Sequence, residues 1–451
     1  MSAESGSMLN RSLALLTLPA LFACPSSSMP ARPDAGPPAP KVAHVVVLGN
    51  ERGALVDRAP ALAAQLARET GWPADALVLS LGSTFSGAPI ADTFDGAPTA
   101  DAMKALGVAG LTVSSADLDF GAPTLTRLIA GSGATLLLST VRDPGGALGP
   151  SSTFALFERQ RVKVGVIGVA DVGPGEGAFD LLPLEGALDS TVAMADQQGA
   201  QVVVVLVAGC STPVTNALSR HPAWKVDLVV AKACPDTSDG RVGATTVLHL
   251  DGSKPGVAHL RAELGTVRSL SARRLDTPTA PEAPALAKVR DEARTKLEAK
   301  RQEPLGFTRA EVPAPDVARL VAKSLKEALQ VDAGLFVKKA VRAPLPAGAV
   351  LRGHVIDAVP GSERVVLVDV PGEVLTKLVS HPDAVLELPA KVDPNGSYVL
   401  ATTAFLYREG IGLEAVDANP VDTKRLLGRV LEGWLVAQGS TAERPLIKPS
   451  S

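Results

Sequence analysis

The chain has 451 residues and a formal net charge of −3, a balance that argues against a nucleic-acid binder working through a basic surface. Hydrophobic residues make up 46% and charged residues 20%, so the chain can bury sizeable cores and is not disordered as a whole. Aromatics are only 3%, which weighs against a site that stacks bases on rings, and no run of 18 apolar residues has the length of a spanning helix. The length predicts two or three domains, and 41 Gly with 36 Pro predict many tight turns.

Arg11 precedes a short apolar run, 13–23, that ends in Leu21-Phe22-Ala23-Cys24. A positive start, a short apolar core and a small residue before the cut predict a secretory signal over 1–23. The ending looks like a bacterial lipobox, so Cys24 is the expected lipidation site and the chain an expected lipid-anchored envelope protein. Plain secretion is the alternative. Residues 24–41 are rich in Pro and Ser without apolar periodicity, which reads as an extended tether between anchor and folded body.

From residue 42 apolar strands alternate with helical patterns. Strands are predicted at 42–48, 76–81, 110–113, 134–139, 162–169, 201–207 and 226–231, and helices at 57–70, 99–106, 124–129 and 184–198. The β-branched run 202–205 suits a strand buried on both faces, and the alternation as a whole indicates a layered α/β domain. Strands follow at 248–250 and 257–264. A Pro-rich break at 276–284 leads into a polar helix with charges of both signs, which reads as a solvated connector. A second domain starts near Leu305, with an amphipathic helix at 317–329 and strands at 334–337, 365–370 and 398–403.

Four stretches stand out, in this order: Gly82-Ser83-Thr84-Phe85-Ser86-Gly87-Ala88-Pro89, Asp101-Ala102-Met103-Lys104-Ala105-Leu106-Gly107, Val162-Lys163-Val164-Gly165-Val166-Ile167-Gly168, and Leu345-Pro346-Ala347-Gly348 through Val359-Pro360. Together they resemble the bacterial secreted 5′-nucleotidase family across nearly all of residues 43–435. The first looks like that family's G-D-T-F-x-G-S-P and the second like the helix before its G-N-H-E strand. The third looks like its mid-domain strand, and the last follows the order of its C-terminal domain. The resemblance implies an α/β fold: an N-terminal metallophosphoesterase-like αββα sandwich over 42–275, a linker and helix over 276–304, a C-terminal 5′-nucleotidase-type α/β domain over 305–440, and a tail over 441–451.

The metal ligands implied by that family are replaced. Its D-x-H-G becomes Asn50-Glu51-Arg52-Gly53, and the Asp that bridges two metals falls at Ser83. G-N-H-E becomes Ser114-Ser115-Ala116-Asp117, so the Asn ligand is Ser115 and the catalytic His is Ala116. A further His falls at Ala208, and G-H-x-H becomes Ala231-Lys232-Ala233-Cys234. A two-metal site needs carboxylate and imidazole lone pairs, which Arg and Lys lack. The expected catalytic set is therefore empty, and the expected cofactor is none where the family uses two divalent metal ions. Arg52 and Lys232 read in one of two ways: as side-chain cations standing in for the metals and facing Asp117 or Asp119, or as residues turned to solvent.

Cys210 and Cys234 follow strands whose ends would be neighbours in the family's fold. A disulfide, two buried thiols and a residual zinc site are the open readings; the disulfide would close a loop of about 25 residues, worth about 3 kcal/mol. In the second domain the family's N-x-G-G-I-R turn falls on Val337-Lys338-Lys339-Ala340-Val341-Arg342, and its G-G-D-G aromatic segment on Glu409-Gly410-Ile411-Gly412-Leu413. Lys338, Lys339 and Arg342 could hold an anion or form a solvated basic turn, and Phe405 and Tyr407 are the nearest rings. The Gly-rich 173–177 segment lacks the Lys of a phosphate loop. His249, His259, His354 and His381 read as structural or surface residues.

Two function classes follow. The first is a non-catalytic lipoprotein of the 5′-nucleotidase family, acting as an envelope scaffold or a binder of an unidentified protein or small molecule. The alternative is an active nucleotidase or metallophosphoesterase hydrolysing nucleotide phosphate esters. A weaker third reading is a solute-binding protein that takes an anionic ligand in the interdomain cleft.

Overall fold

A computed structural model describes residues 40–172, 179–235, 237–251, 254–265, 268–276 and 281–446. The expected signal, Cys24, nearly all of the tether and the Gly-rich 173–177 segment lie outside the described residues. The first strand, Lys41–Gly49, takes in the last residue assigned to the tether.

The N-terminal half is built on two sheets. One orders its strands as Arg268–Leu275, Gly256–Leu264, Lys41–Gly49, Ala76–Ser80, Val108–Leu111, Thr135–Leu137 and Ser151–Ser152. The other runs Gly240–Val242, Thr245–Leu250, Leu228–Lys232, Val202–Cys210, Val162–Val169 and Phe154–Arg159. Side-chain parity decides which face meets which. Ala43, Val45 and Val47 point into the core shared with the second sheet, while Val46 and Leu48 point to the helices. Val202, Val204 and Leu206 enter the same shared core, and Val203, Val205 and Val207 pack on the helices beyond. Period-two alternation with apolar residues at both parities is what a strand buried on both faces requires. Helices Leu55–Thr70, Ala97–Leu106 and Ala122–Ser132 cover one outer face, and Leu184–Gln197 and Thr212–Arg220 the other. The result is the expected αββα sandwich. The sheets touch closely at Gly168, where an added Cβ would lie 2.4 Å from the Leu137 carbonyl oxygen.

The connector helix, Pro284–Arg301, is less solvated than its charges suggest. Leu286 and Ala293 sit in the first domain's core, and Arg294 pairs with Asp57 at 2.8 Å. At its far end Arg301 pairs with Asp357 at 2.8 Å, so one helix grips both halves.

The C-terminal half has a sheet ordered Ala384–Glu387, Ala333–Val337, Ser397–Thr403, Arg364–Pro371 and Val421–Leu426. A two-stranded ribbon, Pro304–Thr308 with Gly348–Leu351, sits beside it, and helices Ala314–Leu329 and Leu427–Gln438 pack one core. Part of the expected tail is docked: the Leu446 amide donates to the Phe307 carbonyl at 2.8 Å. Among the described residues no helix is long and apolar enough to cross a membrane.

Candidate functional site

Strand ends of the first domain and one edge of the second meet at a cavity of about 310 Å³. The first domain supplies Asn50, Arg52, Ser83, Ser114, Ser115, Ala116, Asp119, Asp171 and Lys232; the second supplies Ser362, Glu363, Arg364, Ala404, Phe405 and Arg408. Ala208 lines a smaller void beside it, of about 10 Å³, together with Asn50, Ser83 and Lys232. Of the positions that the resemblance gives as former metal-site residues, Asn50, Arg52, Ser83, Ser115, Ala116, Ala208 and Lys232 are thus gathered in one place, while Cys234 lines neither cavity. The sequence did not single out Asp171, Glu363, Arg364 or Arg408.

The frame is set by Asp117, which is wholly buried. Its Oδ2 accepts the Ser83 amide at 2.7 Å and the Ser114 amide at 2.9 Å, and its Oδ1 accepts the Thr84 amide at 2.7 Å. The Ser114 hydroxyl adds a contact at 3.1 Å. These bonds hold Ser83 at φ 53°, a left-handed conformation that costs a non-glycine residue energy and persists only where the surroundings impose it. Gly82 must stay small, since an added Cβ would lie 2.9 Å from Asp117 Oδ2. The next turn is tied to this one: the Arg52 amide donates to the Ser83 carbonyl and the Gly53 amide to the Thr84 carbonyl, both at 2.8 Å. Asn50 and Arg52 are left-handed too.

Among the described residues neither Arg52, which is exposed, nor Lys232, which is half-buried, makes an ion pair within 4 Å with Asp117 or Asp119, although the charge of Arg52 reaches Asp119. Asp117 is satisfied by backbone amides. Asp119 is met by the Ser86 hydroxyl at 2.6 Å and by Arg364, whose Nε lies 3.3 Å away. Arg364 is buried and also holds Asp422 at 2.7 Å, so it spans from one half of the chain to the other. Arg52 instead opens onto the cavity, where its charge acts on Asp119 and Glu363 at longer range. Burial pushes the Asp119 carboxyl up to about 7 against the pull of Ser86 and Arg364, and pushes Glu363 up as well.

Cys210 and Cys234 form a disulfide with Cα atoms 5.7 Å apart. It joins the ends of the parallel Val202–Cys210 and Leu228–Lys232 strands, where Cys210 pairs in register with Lys232. Of the basic turn, Arg342 lines a neighbouring cavity with Gly87, Asp92 and Gly361, whereas the Lys338 ammonium donates to the Pro382 carbonyl at 3.0 Å. Tyr407 is buried and donates to the Asp417 carbonyl at 2.7 Å, which leaves Phe405 as the ring on the cleft.

The residues present do not fit a pair of divalent cations. Among the described residues no group of three or more His, Cys, Asp or Glu side chains could hold a metal ion. The histidines are engaged elsewhere: His44 with His259, His221 with Glu185, His249 with Ser211, and the Nδ1 atoms of His354 and His381 with the backbone amides of Leu351 and Asp383. The buried Asn50 Nδ2 has no hydrogen-bond partner. A donor left in that state calls for an acceptor, not a cation.

Residues 298–391 match the family described as 5′-nucleotidase, C-terminal domain. No curated protein sequence matches the chain. Among solved structures, a putative 5′-nucleotidase from Staphylococcus aureus is similar at 12% identity and TM-score 0.66, over 90% of this chain and 99% of that one. The NAD nucleotidase of Haemophilus influenzae is similar at 13% identity and TM-score 0.57, over 89% and 97%. A 5′-nucleotidase precursor from Thermus thermophilus is similar at 14% identity and TM-score 0.56, over 91% and 98%.

The buried carboxylates make this geometry testable. Asp117→Ala strands at least three buried amides and should lower unfolding stability by at least about 3 kcal/mol, read by urea denaturation. Asp119 binds more protons folded than unfolded between its ordinary value of 3.8 and about 7. Stability should therefore fall as pH rises through that window, and Asp119→Asn should flatten the slope of melting temperature against pH.

Proposed function

From a chain with the two-domain fold of the 5′-nucleotidases and their C-terminal domain, we infer a non-hydrolytic relative of these phosphoesterases, acting as a ligand-binding protein of a bacterial envelope. One observation carries the reading. At the strand ends where such a fold would gather metal ligands, this chain gathers Asn50, Arg52, Ser83, Ser115, Ala116 and Lys232, which are hydrogen-bond donors and an inert methyl. Family hydrolysis needs two cations to polarise the phosphoryl group and ready the attacking water. Two basic side chains in that space oppose cation binding electrostatically.

The cleft nevertheless keeps the form of a binding site. It is concave, lies between two domains, and carries a few polar groups beside an exposed phenyl ring at Phe405. Attachment to the envelope rests on the Leu21-Phe22-Ala23-Cys24 ending and the Pro-rich stretch after it.

Purified protein incubated with manganese and zinc should retain less than about a tenth of a metal per chain by mass spectrometry and should not hydrolyse AMP. Ser83→Asp should not rescue activity, because it restores one ligand among many and sets a second carboxylate against Asp117. About two metals per chain with AMP turnover would overturn the reading. Cys24→Ala should move the protein from the membrane to the soluble fraction on cell fractionation, whereas an unchanged distribution would dismiss the anchor.

A further inference from the structure

We propose that the cleft binds the tetrahedral oxyanion of a phosphoryl group directly on protein donors, with no metal between them. The inference rests on the non-hydrolytic reading and deepens it.

Asn50 is more than nine-tenths buried, and its Nδ2 has no partner. With Ser83 and Lys232 it lines the small void at the floor of the cleft, and with Ser83, Lys232 and Arg52 it lines the larger cavity above. These four residues come from three strand ends fixed by the Asp117 bonds and the disulfide, so their convergence is built by the frame. Among the described residues Arg52 and Lys232 form no ion pair within 4 Å, unlike Arg364, which is held by Asp119 and Asp422. Arg52 is exposed and Lys232 half-buried, so both charges stand open to an incoming anion.

The carboxylates that could oppose an anion are Asp119, Asp171 and Glu363 on the cavity and Asp251 on the void. Asp119 is covered by Ser86 and Arg364. Arg408 adds a further cation at the mouth. A guanidinium fork, an ammonium, an amide N–H and a hydroxyl together suit a tetrahedral dianion better than a planar carboxylate. Phe405 and Ala404 line the same cavity as apolar groups beside this floor, against which an organic group on the phosphate would pack.

The test is calorimetric titration of the whole protein in EDTA, with inorganic phosphate in one arm and phenyl phosphate in the other. Saturable one-site binding is expected, weakening as salt rises. Asn50→Asp keeps the shape and the left-handed backbone but replaces the donor with negative charge; it should weaken binding at least about tenfold, as should Arg52→Ala. Arg273→Ala, whose side chain pairs with Glu69 away from the cleft, should bind like the parent. Equal affinity in both arms supports free phosphate as the ligand. Tighter phenyl phosphate binding that Phe405→Ala abolishes supports a phosphate ester. No saturation up to about 10 mM by folded protein overturns the proposal, because a binding energy below about 3 kcal/mol is not a built site. So does unchanged binding in both Asn50→Asp and Lys232→Gln, or binding that appears only with added divalent metal. Turnover of phenyl phosphate in EDTA would refute the non-hydrolytic reading and leave the binding site standing, so the two failures are distinct.

Discussion

The cleft depends on one buried carboxylate. Asp117 accepts amides from residues 83, 84 and 114, in the two turns that follow the paired strands Ala76–Ser80 and Val108–Leu111. Either turn could leave only by stranding a buried carboxyl and its donors, a cost of several kcal/mol. The position of Ser83 therefore follows from Asp117, and that of Arg52 follows from Ser83 through the backbone bonds at 52 and 53. The opposite wall is fixed covalently between Cys210 and Cys234. In a two-metal centre the cations draw such loops together; here hydrogen bonds and a disulfide do so. The frame thus rests on bonds of the chain itself.

The second domain completes the electrostatics. Arg364 enters the first domain's rim, and its burial is sustained by Asp119 on one side and Asp422 on the other. The burial that raises Asp119 comes with that contact. Arg429 adds a more exposed link, donating to the Thr93 carbonyl at 2.8 Å, at the end of the Pro89–Thr93 helix where free carbonyls gather. Domain docking and cleft charge are consequently one property: separating the halves would leave Arg364 without its Asp119 partner and open the cavity on that side.

The strands buried on both faces were legible because their patterns are strong. The 162–169 run coincides with an observed strand, and 42–48 and 201–207 extend by only one to three residues. Elements with mixed polarity escaped. Arg268–Leu275 is an exposed edge strand whose residues are mostly polar, and Thr212–Arg220 is a short helix whose apolar face is only Val214, Ala217 and Leu218. The site was legible only through the family resemblance, whose motifs fall on positions 50, 83, 115 and 232. Glu363, Arg364 and Arg408 were not, because they belong to the cleft through a domain contact that local pattern does not encode. The role of Asp117 was hidden for a related reason: its partners are backbone amides, which carry no sequence signature.

What separates this cleft from a metal centre is the inversion of donors and acceptors. A cation site presents lone pairs, and each carboxylate or imidazole lowers the cost of the charge at its middle. Here the same strand ends present mostly N–H and O–H groups, beside the carboxylate of Asp171, and Asn50 Nδ2 is buried without an acceptor. Such a floor opposes a divalent ion, so the difference is of sign and not merely of strength. Reversal by single steps is opposed at each one. A carboxylate added at 83 would meet Asp117, whose Oδ2 already lies 2.7 Å from the Ser83 amide, with Arg52 and Lys232 still lining the same cavity. Removing either cation alone leaves the other in place. The arrangement is, for these reasons, far from a cation site.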